Sequence, residues 1–94
     1  MPYFVYILEC AGGSFYVGRT WDPGLRLQQH NDGLGGAYTV KRRPVTLAYL
    51  EEYDSEPAAI GRERQLKNWT HDRKAALISG DLATLRNLSR RRVR

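Results

Sequence analysis

The chain has 94 residues, 41% of them hydrophobic and 27% charged, and these values predict one ordinary globular domain. A single cysteine, Cys10, excludes an internal disulfide and favours a reducing, cytoplasmic setting. No apolar run approaches the roughly 20 residues that span a bilayer, and the first ten residues, "MPYFVYILEC", do not resemble a secretory signal. We therefore expect a cytoplasmic domain with no membrane partner.

The basic residues are concentrated in the second half of the chain. The net charge is +5, with 15 basic and 10 acidic side chains. Residues 1–60 carry five basic and seven acidic groups, whereas residues 61–94 carry ten basic and three acidic groups. Twelve of the fifteen basic residues are arginine, which suits phosphate recognition and a polyanionic partner. A genome rich in arginine codons explains the same composition equally well.

The first part of the chain predicts a β-hairpin and a helix. The segment "YFVYILEC" is apolar on both alternating faces, which predicts a strand covered on both sides, and "FYVGRT" follows the turn "AGGS". Residues 3–20 therefore read as a hairpin. Asp22 followed by Pro23 begins a helix that runs to about Asn31, where Gly33 can end it.

The middle of the chain predicts a loop, a third strand and a second helix. The segment "NDGLGGAYTVKRRP", residues 31–44, is rich in glycine and basic residues and reads as a loop. Next, "VTLAYLEEY", residues 45–53, predicts a strand. Ser55 and Pro57 begin a helix that reaches roughly Trp69.

The last third of the chain predicts two more helices and a tail. "THDRKAALISG" has a threonine cap and a glycine stop, and "DLATLRNL" follows as a short helix. The final "SRRRVR" predicts a disordered basic tail. The order β-β-α-β-α-α-α predicts an α+β fold, a small three-stranded, mainly antiparallel sheet flanked by helices, with a domain over residues 1–80 and a C-terminal segment over residues 81–94.

A carboxylate falls on the inward face of one predicted helix. In the second helix, Glu63 lies within the apolar stripe of Ala59, Ile60 and Leu66. A buried carboxylate needs compensation, which either a salt bridge with an arginine or a bound metal can supply.

In the first helix, Trp21 and Leu25 are expected to face the core, while Arg26 and His30 share an adjacent face one turn apart. A solvated face with an incidental histidine explains this pair as readily as a site does. Tyr6 and Tyr16 are equally compatible with plain strand positions.

Together these residues resemble the GIY-YIG nuclease family, in its small single-domain bacterial branch. The two motif tripeptides stand here as Phe4-Val5-Tyr6 and Tyr16-Val17-Gly18, with "LRLQQHN" and "AAIGRERQLK" following at the family's spacing. The resemblance also extends to the nuclease half of structure-selective endonucleases. It departs at Phe4, where the motif has glycine.

The resemblance implies a phosphodiesterase that uses one divalent cation, Mg²⁺ or Mn²⁺, to cut DNA or RNA. The implied catalytic residues are Tyr6, Tyr16, Arg26, His30 and Glu63, with Glu63 as the metal ligand. One tyrosine is the implied base, which requires neighbouring cations to lower its pKa from about 10. The expected nucleic-acid contacts are Arg19, Lys41, Arg42, Arg43 and Lys67.

The assignment makes a geometric prediction about the hairpin. Cross-strand partners share a face, so Tyr6 and Tyr16 lie together only when paired positions sum to an even number. A two-residue Gly12-Gly13 turn would separate them, and we therefore expect a three- or five-residue loop or a bulge. The leading hypothesis is an endonuclease. The alternatives are a nucleic-acid-binding module with weak or no catalysis and a protein-interaction domain.

Overall fold

The computed structural model describes residues 2–81 and 83–85. It confirms the predicted α+β architecture with a three-stranded antiparallel sheet. Its elements are β1 (Tyr3–Cys10), β2 (Phe15–Thr20), α1 (Pro23–Asn31), α2 (Ala37–Val40), β3 (Val45–Tyr53), α3 (Glu56–Lys67) and α4 (His71–Ser79).

Strand β1 is the centre of the sheet, whose order is β2-β1-β3. Both neighbours pair with it in the antiparallel sense, and a bulge interrupts its pairing with β3 between Ile7 and Leu8. Val5 and Ile7 are buried on one face, and Tyr6 and Leu8 are buried on the other. The prediction that this strand is covered on both sides is confirmed.

The hairpin loop has three residues, as the parity argument predicted. The Cys10 amide donates to the Ser14 carbonyl at 2.8 Å, and the register pairs Leu8 with Tyr16 and Tyr6 with Gly18. These paired positions have even sums, so Tyr6 and Tyr16 point to the same face of the sheet.

Helix α3 packs on the face that carries Val5 and Ile7. The Ser55 side chain caps its start, and Ala59 and Leu66 are fully buried, as the apolar stripe predicted. Its C-cap is Asn68, so the helix ends shortly before the predicted Trp69. Arg62 fastens α3 to β3, because its guanidinium donates to both oxygens of Glu51 at 2.9 and 3.0 Å.

Helix α1 covers the opposite face, in a different rotation from the one expected. Leu27 packs on the core and His30, three positions later, is fully buried. Because each residue turns a helix by about 100°, Leu25 lies about 200° away from Leu27. The expectation that Trp21 and Leu25 face the core is therefore wrong, and they are 56% and 47% exposed.

The segment predicted as a loop over residues 31–44 contains the short helix α2. Four residues are too few for a periodic pattern to reveal. Local side-chain hydrogen bonds stabilise them: Arg42 donates to the Tyr38 carbonyl at 2.7 Å and Arg43 donates to the Val40 carbonyl at 2.9 Å. Thr39 is fully buried beneath this turn.

Of the predicted last helix, the structure describes residues 81 and 83–85, and residues 83–85 are helical. The other residues of that helix and the basic tail lie outside the described residues. Within the described part of the chain, none of the helices has the length and apolar character needed to cross a membrane.

Candidate active site

A buried hydrogen-bonded chain links β1, α1 and α2. The Tyr6 hydroxyl lies 2.9 Å from Nε2 of His30, and Nδ1 of His30 lies 2.7 Å from Oγ1 of Thr39. Tyr6 is 3% exposed, and the other two residues are fully buried. In either tautomer of a neutral imidazole, one ring nitrogen donates and the other accepts, so the two hydroxyls satisfy the ring.

Burial favours the uncharged forms of the two titratable groups in this hydrogen-bonded chain. Desolvation and the nearby Arg26 charge lower the pKa of His30, which favours neutral imidazole. Desolvation raises the pKa of Tyr6 and outweighs the opposing effect of Arg26. The charges of the protein alone therefore do not lower the pKa of Tyr6, and the expected lowering of the base's pKa stays a prediction.

Tyr16 connects the buried chain to the surface. Its ring meets His30 edge to face at a centroid distance of 5.3 Å and stacks on Tyr38 at 5.7 Å. Tyr38 is 38% exposed, and the Arg42 guanidinium lies over its ring at 3.8 Å. The aromatic column from His30 to Tyr38 thus ends at solvent, with Tyr16 half-buried in its middle.

Two glycines leave the space that these side chains occupy. A Cβ at Gly18 would overlap the Tyr6 hydroxyl, and a Cβ at Gly35 would overlap the His30 ring. Gly18 is the glycine of the "YVG" motif and pairs directly with Tyr6 across the hairpin. A packing requirement therefore explains this motif position.

Arg26 lies near the buried Tyr6 phenol, and its guanidinium makes two hydrogen bonds to neutral oxygens. Its Nη1 donates to Oε1 of Gln29 at 3.1 Å, and its Nη2 donates to the Gly35 carbonyl at 3.4 Å. Its charge acts on both Tyr6 and His30. The structure therefore brings together four of the implied catalytic residues, namely Tyr6, Tyr16, Arg26 and His30.

Glu63 lies on α3, which packs on the face of the sheet opposite to Tyr6. Its two oxygens accept from Nε of Arg19 and from Nζ of Lys67, each at 3.1 Å, and its side chain is 17% exposed. Arg19 also pairs with Glu56 at 3.0 Å. The salt bridge that the sequence allowed is thus made to Arg19. Glu63 lines a pocket together with Arg19 and Lys67, whereas Tyr16 lines a second cleft, and Lys67 borders both.

The donor set around Glu63 fits a hard divalent cation that keeps most of its water. Carboxylate oxygen is the ligand that Mg²⁺ prefers, and Mg²⁺ often binds through one or two carboxylates plus substrate phosphates. A carboxylate offers about four lone-pair sites, and the ion pairs with Arg19 and Lys67 use two of them. No cluster of three or more His, Cys, Asp or Glu occurs within residues 2–81 and 83–85.

The basic trio of the 31–44 segment does not join this cluster directly. Lys41 is exposed, whereas the guanidinium groups of Arg42 and Arg43 donate hydrogen bonds to carbonyls of the α2 turn. Arg42 reaches the site only through the Tyr38 ring.

Sequence reasoning missed three residues around the site, namely Tyr38, Thr39 and Lys74. A cleft of about 360 Å³ lies beside Tyr16. It is lined by Phe15, Tyr16, Val17, Tyr38, Lys67 and Lys74. Tyr38 and Thr39 lay in a presumed loop, so no pattern marked them. Lys74 sits in an ordinary amphipathic helix, where one lysine carries no signal.

Comparison with known proteins gives the same family as the motifs. The model of the GIY-YIG catalytic domain matches residues 2–76. A UPF0213 protein of Staphylococcus aureus is 43% identical over 76 residues, which cover 81% of this chain and 93% of that protein.

Two solved structures are similar in fold and sequence. The NMR structure of a UPF0213 protein from Bacillus halodurans has a TM-score of 0.55 and 37% identity, with 84% of each chain covered. The NMR structure of a protein from E. faecalis has a TM-score of 0.60 and 34% identity, with 88% of each chain covered. The chain therefore belongs to the GIY-YIG family of nuclease-type catalytic domains.

Proposed function

We propose that this protein is a divalent-metal-dependent endonuclease that hydrolyses phosphodiester bonds in DNA. One observation carries the proposal: the rings of Tyr6 and Tyr16 both meet the buried His30 imidazole. The Arg26 charge lies close enough to act on both Tyr6 and His30. Phosphodiester hydrolysis needs these components, a cation for the developing charge and groups that move protons.

Arg26 is suited to hold the scissile phosphate. Its present acceptors, at 3.1 and 3.4 Å, are an amide and a carbonyl oxygen, both neutral. A charged phosphate oxygen makes a stronger, bidentate partner for the same fork. Binding of substrate therefore exchanges two modest hydrogen bonds for charge-assisted ones.

The two tyrosines have different roles in this proposal. Tyr16 lines the open cleft, so its hydroxyl is the phenol that can meet a water molecule beside the phosphate. Tyr6 is buried and holds His30 through the 2.9 Å hydrogen bond. The Tyr6–His30–Thr39 chain positions the ring that Tyr16 packs against and can pass a proton along its hydroxyls.

Glu63 is the residue that would hold the cation. A bound Mg²⁺ or Mn²⁺ supplies Lewis-acid stabilisation of negative charge on the phosphate. Lys67 and Arg19 each hold one oxygen of this carboxylate in an ion pair of 3.1 Å.

A nucleic-acid-binding module without catalysis is the second candidate. The observation in its favour is that Glu63 already makes two ion pairs, which account for a mostly buried carboxylate without any metal. This reading keeps the cleft and its cations as a binding surface.

A cleavage panel separates the two candidates. Purified protein is incubated with labelled single-stranded, duplex, flap and junction DNA and with matching RNA, each in Mg²⁺, Mn²⁺ or EDTA. The endonuclease reading predicts internal cleavage of at least one substrate with metal and none in EDTA. Metal-independent binding of the same substrates with no product under any condition would instead favour the binding module.

A further inference from the structure

Lys74 is a half-buried cation at the far side of the Tyr16 cleft. It lies on α4 and lines the cleft together with Tyr16, Tyr38 and Lys67. Within residues 2–81 and 83–85, its ammonium group has no hydrogen bond and no carboxylate partner. Burial lowers the pKa of this amine, which reflects the cost of holding an uncompensated charge there.

Its environment differs from that of the other cations in the described chain. Lys67 is paired with Glu63, and Arg62 is paired with Glu51. Lys41 and Arg64 have no carboxylate partner either, but both are exposed and can be hydrated. Arg26 and Arg42 are half-buried without a carboxylate, but their guanidinium groups donate to neutral oxygens. Lys74 combines partial burial with the absence of a partner, so an anion that enters the cleft recovers solvation that the protein itself does not supply.

We infer that Lys74 binds a backbone phosphate of a nucleic acid that enters the Tyr16 cleft. The cleft is continuous from Lys67, beside Glu63, to Lys74, so a strand that reaches the site passes this ammonium group. The inference rests on the proposed function, since it assigns a second phosphate contact on the same substrate. Lys74 is a binding residue here and takes no part in bond breaking.

The test is nucleic-acid binding in EDTA, where no cleavage is required. Fluorescein-labelled 20-nucleotide single-stranded and duplex DNA are titrated with wild type, Lys74→Met and Lys74→Arg over 50–300 mM KCl. Methionine keeps the aliphatic stem without the charge, and arginine keeps the charge as a matched control. One lost phosphate contact should lower the slope of log Kd against log salt by about 0.7–0.9 and weaken binding several-fold at low salt.

Steady-state cleavage adds a readout that a structural role would not reproduce. Lys74→Met should raise KM with kcat nearly unchanged, because the lost contact binds the substrate and the transition state equally. Lys74→Arg should restore KM. Unchanged Kd and salt slope in Lys74→Met, with wild-type binding intact, would overturn the inference but leave the nuclease proposal standing. Failure of wild type to bind any nucleic acid would overturn both. An equal loss in both variants with a lowered melting temperature would assign Lys74 a packing role instead.

Discussion

The Tyr6 hydroxyl and Nε2 of His30 lie 2.9 Å apart in the interior, although 24 positions separate them in the chain. This hydrogen bond joins the central strand to helix α1 at the site, and it explains why the two motif positions occur together. Because Tyr6 and Tyr16 both meet the His30 ring, one imidazole fixes the positions of both phenols.

The space beside Tyr6 should not tolerate one added methyl group at Gly18. Gly18→Ala places a Cβ against the Tyr6 hydroxyl, so it should cost about 1–3 kcal/mol of stability, as overpacking does, and reduce cleavage. Gly61→Ala is the matched control, because nothing lies near that position in α3 and the change should stabilise by about 0.5–1 kcal/mol. Chemical denaturation of both variants checks this, and equal stabilities would contradict it.

The Thr39 hydroxyl should be required to hold His30. Thr39→Val keeps the shape but leaves Nδ1 of His30 without its 2.7 Å partner, which should cost about 1–3 kcal/mol. Thr39→Ser retains the hydroxyl and should keep most of the stability and the activity. Equal unfolding free energies for the valine and serine variants would mean that this hydrogen bond contributes nothing.

The residue pattern predicted the sheet, and the family resemblance predicted the hairpin parity and the clustering of Tyr6, Tyr16, Arg26 and His30. The rotation of α1 was not predictable from hydrophobicity, because a histidine occupies the buried position that an apolar residue usually fills. An apolar stripe through Trp21 and Leu25 was the simpler pattern, and only tertiary hydrogen bonds make His30 acceptable inside.

The same reason explains why α2 and the partner of Glu63 were missed. Four residues are too few to show a helical period, even though Arg42 and Arg43, which follow directly, bind carbonyls of this turn. The stripe of α3 located Glu63 correctly, but which arginine pairs with it depends on which face of β2 meets α3. Such information resides in the packing of elements rather than in their periodicity.

Stability should fall on mild acidification through His30. Its pKa is lowered in the folded state by burial and by Arg26, so below about pH 6.5 the unfolded chain binds the extra proton and the folded chain resists it. The free energy of unfolding should therefore decrease as the pH falls from 7 towards 5. Urea titrations of wild type and His30→Gln test this, and the variant should lose part of the slope. Parallel pH profiles would contradict the assignment.

Substitution of Tyr6 and of Tyr16 should have different effects on stability and on cleavage. Tyr16→Phe should leave the melting temperature close to wild type and reduce kcat by about 10²–10⁴, as loss of a proton-transfer group does. Tyr6→Phe removes the buried partner of His30 and should destabilise by about 1–3 kcal/mol, with activity lost alongside. A stable but inactive Tyr6→Phe together with an active Tyr16→Phe would exchange the two roles.

The central claim, that this is a metal-dependent nuclease, is tested most directly by the cleavage rate of Glu63→Gln at saturating Mg²⁺. Glutamine keeps the volume and removes the charge, and the two cations it leaves are partly exposed, so the stability cost should stay below about 1 kcal/mol. The account predicts that cleavage falls by about 10²-fold or more while DNA binding in EDTA stays within about twofold. Wild-type cleavage by this variant would contradict it. A strongly destabilised Glu63→Gln that Arg19→Gln rescues would also contradict it, since Glu63 would then be a structural bridge.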